Sequence, residues 1–245
     1  MGRESEVVSA SKNPAKYFLE WKSNGKVFSY YDKEKAANLE IKLPFKFLFL
    51  KQMATVKGWH DQSSSGIYSN EVANTAEQPL NVKSFKGGPI VSGLYKDIKN
   101  TVAAAGGSYH RSVYLMTEKG ALLNLSLKGT AVAEWNEFCK SNLSKMNSQW
   151  VTVSGARDGK KGSVNYSVPV FELSAQVTPE QGAAADVLYD SLVEYIDGNK
   201  QQDTSTQESS ARVDATQTTS PSASVPEPPQ SKFTEEEESD FDLPF

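Results

Sequence analysis

The sequence predicts a mainly β fold with added helices, followed by a polar, acidic tail. Three observations carry that expectation. Short runs rich in Phe, Tyr, Trp, Leu and Val recur at hairpin spacing from residue 17 to residue 173, with Gly, Asn, Ser or Asp between them. Helical spacing of apolar residues is confined to stretches near 90–102, 132–139 and 179–196. From Gln201 onward apolar periodicity stops. Strands at this spacing predict a small antiparallel barrel or sandwich with helices set around it.

The first hairpin comes from Tyr17 to Lys22 and Lys26 to Tyr31, which flank Ser23-Asn24-Gly25. Asn-Gly tolerates positive φ at both turn positions, so the two runs should pair with Trp21 facing Phe28 and Leu19 facing Tyr30. One face then carries Tyr17, Leu19, Trp21, Phe28 and Tyr30, and the other Phe18, Lys22, Val27 and Tyr31. Both faces are aromatic, more than a one-sided core needs. Leu39 to Leu43, Phe45 to Lys51 and Ala54 to His60 read as three further strands, with Pro44 marking the start of the second. A Gly/Ser loop at Ser63 to Gly66 leads into Ile67-Tyr68-Ser69, and Leu80 to Lys86 ends at Gly87-Gly88.

Ile90, Val91, Leu94, Tyr95, Ile98 and Val102 predict a helix stopped by Gly106-Gly107. Tyr109 to Thr117 and Ala121 to Lys128 predict a second hairpin. Val132, Trp135, Phe138 and Cys139 mark one face of a short helix. Trp150 to Ala156 and Ser163 to Leu173 predict a third hairpin, whose turn, Arg157 to Gly162, is basic. Thr178-Pro179-Glu180-Gln181 is a capping box with proline at the first helical position. It should open a helix that turns Val187, Leu188, Leu192, Tyr195 and Ile196 inward and stops at Gly198.

Gln201 to Ser231 is Gln, Ser, Thr, Ala and Pro with scattered charge. Such a segment cannot bury enough apolar surface to offset its ordering entropy, which predicts a disordered linker. The expected organisation is a folded domain over 1–198, a flexible linker over 199–234 and an acidic tip over 235–245. Across the 245 residues 38% are hydrophobic and 23% charged, ordinary for a globular body. Charge is uneven: residues 201–245 hold ten acidic residues against Arg212 and Lys232, a balance of −8, so the total of −4 leaves +4 on residues 1–200. A basic body therefore carries an acidic tail.

The only cysteine, Cys139, excludes an intramolecular disulfide or a Cys-x-x-Cys site and indicates a reducing compartment. The first six residues form neither a signal-peptide core nor a myristoylation motif, and no apolar run is long enough to cross a bilayer. A cytoplasmic protein without membrane partners is the expectation. No nucleotide-binding glycine loop and no zinc signature is present; Gly159-Lys160-Lys161-Gly162 has the wrong spacing for a phosphate loop. The two histidines, His60 and His110, fit a strand end or the surface better than a triad. These patterns predict a binding protein, with no catalytic residue, metal or cofactor.

Aromatic residues interleaved with basic ones recur along the strands. The candidate contacts are Trp21, Lys22, Phe28 and Tyr30 in the first hairpin, Lys46, Lys57 and Trp59 in the next strands, and Lys83, Phe85, Lys86, Tyr109 and Arg111 farther on. Arg157, Lys160 and Lys161 add the basic turn. Flat rings that stack on bases, beside cations that follow phosphates, are what single-stranded nucleic acid needs. Trp59 stands out because it lies between Lys57-Gly58 and His60 at a strand end before a Ser/Gly loop, whereas Phe18, Phe45, Phe47 and Phe49 read as core.

The chain ends Asp240-Phe241-Asp242-Leu243-Pro244-Phe245 after Glu235 to Glu238. This resembles the acidic tip of bacterial single-stranded-DNA-binding proteins, which implies that these six residues bind partner proteins. Lys42 to Phe47, Gly66 to Glu71, Ser84 to Gly88 and Gly93-Leu94-Tyr95 resemble a family of bacteriophage single-stranded-DNA-binding proteins. The resemblance spans most of residues 14–175. It implies an OB-fold-like antiparallel barrel that coats single-stranded DNA in replication, recombination or repair, in the host cytoplasm. It further implies replication or recombination partners at the tip, such as a polymerase, helicase or nuclease. Extra helices depart from the bacterial pattern, so its tetramer does not carry over; phage relatives are monomers or homodimers. A strand-annealing recombination protein and a phage structural or scaffold protein remain as alternatives. A nuclease would need a magnesium site that the spacing of acidic residues does not single out.

Overall fold

A computed structural model describes residues 13–210 of the chain, with side chains through Gly198. Of the linker expected over 199–234, residues 199–210 are helical and 211–234 lie outside the described residues, as does the acidic tip over 235–245 with Asp240 to Phe245. The elements in chain order are β1 (Tyr17–Lys22), β2 (Val27–Asp32), β3 (Ala37–Ile41), β4 (Phe45–His60), β5 (Ser65–Tyr68), β6 (Leu80–Ser84), β7 (Gly88–Gly93), α1 (Tyr95–Ala104), β8 (Gly107–Thr117), β9 (Leu122–Lys128), α2 (Thr130–Asn142), β10 (Gln149–Lys161), β11 (Val164–Gln176) and α3 (Pro179–Ser210). The protein is mainly β with helices.

The strands form one mixed sheet in the order β3-β2-β1-β9-β8-β4-β5-β6-β7, while β10 pairs with β4 and β11 with β10. Backbone pairing does not close a barrel, and β1 runs parallel to β9, so the sheet is neither closed nor wholly antiparallel. The reason lies in β4. Its 16 residues pair with β8 along one edge from Phe47 to Gly58, and the other edge is divided between β10 at Phe45–Phe47 and β5 at Lys57–His60. The sheet forks there instead of wrapping round. Side chains bridge part of the gap between the β1–β2 turn and β11: Trp21 Nε1 donates to the Ser167 carbonyl at 2.8 Å, and Ser167 Oγ donates to the Ser23 carbonyl at 2.6 Å.

One continuous β4 replaces the two strands expected over 45–60. A bulge at Leu50 joins them by shifting the pleat: Phe45, Phe47 and Phe49 point to the α2 side before it, and Gln52, Ala54 and Val56 after it. On that side Trp135 of α2 packs among Phe47, Phe49, Phe138 and Phe171, with ring centroids 5.0 to 6.3 Å apart. Leu19, Phe28, Val113, Leu115, Leu125, Val151 and Val153 complete this core. A second core under α1 joins Ala54, Val56, Ile67, Leu80, Val82, Ile98 and Val102.

Three boundaries differ from the sequence reading. Ile90 and Val91 belong to β7 rather than to a helix, because Leu80–Ser84 offers a free edge for Gly88–Gly93 to pair with. The basic turn at 157–162 shrinks, since β10 continues to Lys161 against β11. In α3 the capping box forms, with Gln181 N donating to Thr178 Oγ1 and Thr178 N to Gln181 Oε1, but two expectations fail. The helix runs through Gly198 to Ser210, since one mid-helix glycine costs only about 1 kcal/mol. Val187 is also exposed, because the face that packs on the sheet is Ala185, Leu188, Leu192, Tyr195 and Ile196.

Candidate nucleic-acid interface

The face of the sheet turned away from α2 carries a set of bare rings. Pairing Glu20 with Ser29 and Trp21 with Phe28 puts Leu19, Trp21, Phe28 and Tyr30 in or against the core and turns Phe18 and Tyr31 outward. The expected register is therefore present, although the turn spans residues 23–26 and takes its positive φ at Lys26, not at Asn24 and Gly25, and Phe18 is 46% exposed rather than core. On β4, Lys57 and Trp59 alternate with the buried Val56 and with Gly58, and so point outward. Tyr68 lies opposite Lys57 on β5, and Lys83 opposite Tyr68 on β6. Phe85 follows, 74% exposed, its ring over Gly66 and 4.6 Å from that of Tyr68.

Gly66 leaves room for this arrangement, because a Cβ there would stand 3.3 Å from the Phe85 ring and push it aside. Trp59 faces Gly66 on the neighbouring strand, so Trp59, Phe85 and Tyr68 form one platform. A close backbone approach holds its base. Trp59 N donates to the Gly106 carbonyl at 3.2 Å, and a Cβ on either Gly58 or Gly106 would collide with the other segment's carbonyl oxygen. Glycine is also the natural residue at Gly106 for its φ of +89°.

Between the platform and Phe18 lies a polar patch. Lys57 Nζ sits 5.9 Å from the Phe18 ring centre and donates to Ser126 Oγ at 3.1 Å. Ser126 Oγ also bonds His110 Nδ1 at 2.9 Å, and Ser108 Oγ lies 3.2 Å from His110 Nε2. Burial pulls the Lys57 ammonium below the ordinary lysine range, partly offset by Glu71 and Glu20. Burial alone would raise the Glu20 carboxyl, but its hydrogen bond with Lys22 and the charges of Lys22, Lys57 and Lys128 outweigh that and hold it low. The patch is a built charge network, not a loose rim of lysines.

His110 is buried rather than at a strand end or the surface, with both ring nitrogens within hydrogen-bond reach of serine hydroxyls. Burial, with Lys57 and Lys128 nearby and only Glu20 opposing, lowers its pKa to about 4. A folded value below the unfolded value of about 6.5 means the neutral ring stabilises the fold fully above pH 6.5. That contribution, up to about 3 kcal/mol, is lost as the pH falls from about 6.5 to about 4. Denaturant titrations across this window should show a shallower loss of stability in His110→Gln than in the native chain; equal slopes would contradict the assignment.

Of the sequence-derived candidates, Lys22, Lys57, Trp59, Lys83 and Phe85 share this face, and Lys86 follows Phe85 directly. Phe28 is fully buried, while Trp21 and Tyr30 pack against the same core. Tyr109 and Arg111 alternate with His110 and Ser112 and so lie on the α2 side, where the Arg111 guanidinium is 5.6 Å from the Tyr109 ring centre. Lys46 is at the far end of β4, paired with Glu118 and over the Trp150 ring. Arg157, Lys160 and Lys161 ride on β10, where Arg157 pairs with Glu134 of α2. Sequence reasoning passed over Phe18, Tyr31, Tyr68 and Lys128. The signal for the first two was the second aromatic face of the hairpin.

Among the described residues no group of three His, Cys, Asp or Glu side chains is placed to hold a metal ion, and no helix is long and apolar enough to cross a membrane. Cys139 is buried, and burial pushes its thiol up to about 12, against a small opposing effect of Arg111. It is not a poised nucleophile. No family model, no curated protein and no solved structure matches this chain.

Proposed function

We propose that this chain is a sequence-independent single-stranded-DNA-binding protein of the bacteriophage type, which coats and protects exposed strand in replication, recombination or repair. The observation that carries the reading is the display of Phe18, Tyr31, Trp59, Tyr68 and Phe85, all exposed, on one face with Lys57, Lys83 and Lys128. Several large rings exposed together on one face mark an interaction surface, and rings beside cations suit unpaired bases and their phosphates.

The connectivity supports an OB-fold-like core. Strands β4, β8, β9, β10 and β11 are five in number, α2 lies between β9 and β10, and β4 touches both β8 and β10. In such folds the second and third strands and the loops after the first and fourth strands form the binding surface. Here β8 and β9 are those strands, and the segment β5–α1 fills the loop after β4. The acidic tip, Asp240 to Phe245, would recruit a polymerase, helicase or nuclease, with the Phe245 ring as the anchor.

Titration with poly-dT at several salt concentrations tests the reading through intrinsic fluorescence. Trp59 is 56% exposed while Trp135 and Trp150 are buried and Trp21 packs against the core, so quenching should come mainly from Trp59 and largely vanish in Trp59→Phe. Log K should fall with log salt by about 0.7 for each phosphate neutralised. A chain that neither quenches nor shows a salt slope is not a single-strand-binding protein.

A further inference from the structure

The exposed rings are not spread evenly over the face. Phe18 and Tyr31 form one group, opposite each other on β1 and β2 by the register that pairs Glu20 with Ser29. Trp59, Tyr68 and Phe85 form the other, on and just beyond β4, β5 and β6. The strands between them, β9 and β8, expose Lys128 and Ser108 on this face, above the buried polar side chains Asn124, Ser126, His110 and Ser112. Lys57 connects the two groups, since it lies opposite Tyr68 on the sheet while its ammonium reaches the Phe18 ring and Ser126.

We propose, building on the function above, that the two groups of rings are the two ends of one site. A single continuous strand bridges them across the sheet. Its end bases stack on Phe18–Tyr31 and on Trp59–Phe85–Tyr68, and its middle phosphates pass over Lys57 and Lys128. From β2 to β6 the path crosses β1, β9, β8, β4 and β5, six strand-to-strand steps. At about 4.8 Å a step that is about 29 Å along the sheet. A stacked strand advances about 3.4 Å per nucleotide, so roughly nine nucleotides fill the path, and fewer once bases unstack. That falls within the range of about 4–16 nucleotides for one single-strand-binding domain.

The site so described contains rings that its five core strands do not supply. Phe18 and Tyr31 come from the hairpin ahead of β4, and Tyr68 and Phe85 from the insertion between β4 and β8. The hairpin extends the sheet beyond β9 and the insertion extends it beyond β4, and because their rings share one face the two additions lengthen one binding surface from opposite ends.

Anisotropy titrations of the full chain with fluorescein-labelled dT3, dT6, dT9 and dT12 test this. Native affinity should rise steeply from dT3 to about dT9 and then level off. Phe18→Ala with Tyr31→Ala should weaken dT12 about tenfold or more and make the length dependence level off earlier. Both side chains are about half exposed, so thermal melting should not change. If that variant binds dT12 as the native chain does, or if native affinity is already level at dT3, the bridging path is wrong while single-strand binding stands. If the native chain does not bind dT12 at all, the functional reading falls with it.

Discussion

Replacing Trp59 and Phe85 together by alanine should weaken single-strand binding by about 2 to 6 kcal/mol, at least about thirtyfold, and leave the fold intact. The size follows from two lost stacking surfaces at about 1–3 kcal/mol each. The two rings flank Gly66, so their effects need not add, and the single variants belong in the same experiment. Preservation of the fold follows from exposure, 56% for Trp59 and 74% for Phe85. Anisotropy with labelled poly-dT measures the loss, and circular dichroism melts check the fold. An unchanged affinity in a folded double variant would remove the platform from the binding site.

The second large effect concerns stability. Trp135→Ala should destabilise the domain by about 3–5 kcal/mol, a large part of the roughly 5–15 kcal/mol that keeps most domains folded. Trp135 has no exposed surface and packs with rings from β4, α2 and β11. Its Nε1 donates to Gln52 Oε1 at 2.8 Å, so truncation leaves both a cavity and a half-buried amide short of a partner. For a domain of this size a melting temperature lower by roughly 6–20 °C is expected. Trp135→Phe should cost less, because it keeps most of the ring and loses the hydrogen bond. A melting temperature within 2 °C or so of native for the alanine variant would show that α2 does not anchor the core.

Two reasons made part of the binding face readable in advance. Trp59 sits among Lys57, Gly58 and His60 ahead of a Ser/Gly loop, a context in which a large ring lacks apolar neighbours in sequence, and it is exposed. Lys83 and Phe85 alternate with the buried Val82 and Ser84, so a strand places both on one side. Phe18 was misread because period two cannot say which face of a two-sided aromatic hairpin meets the core. Only the parallel pairing of β1 with β9 decides that, by placing Leu19 beside Leu125. Phe28, Tyr30 and Tyr109 went to the interior for the same reason.

His110 shows a second limit. Its neighbours in sequence, Tyr109 and Arg111, suggest a surface position, yet the bonds that bury it come from Ser126 across the β8–β9 hairpin and from Ser108. Lys57 and Lys128, which help keep the imidazole neutral, lie 53 residues before and 18 residues after it.

By itself, the sequence determined the mainly β class, the first two hairpins, the α2 core face and the capping box of α3. These depend on side-chain period, on caps and, in the second hairpin, on the positive φ of Gly120, all of which act over a few residues. The tertiary structure decided that the sheet forks at β4 instead of closing, that a bulge at Leu50 joins two strands, and that rings from two added segments share one face. Those outcomes depend on which strand edges meet, and edges carry backbone groups that are alike in every strand. Pairing between residues as distant as Phe18 and Asn124 is therefore selected by burial across the whole fold, not by local pattern.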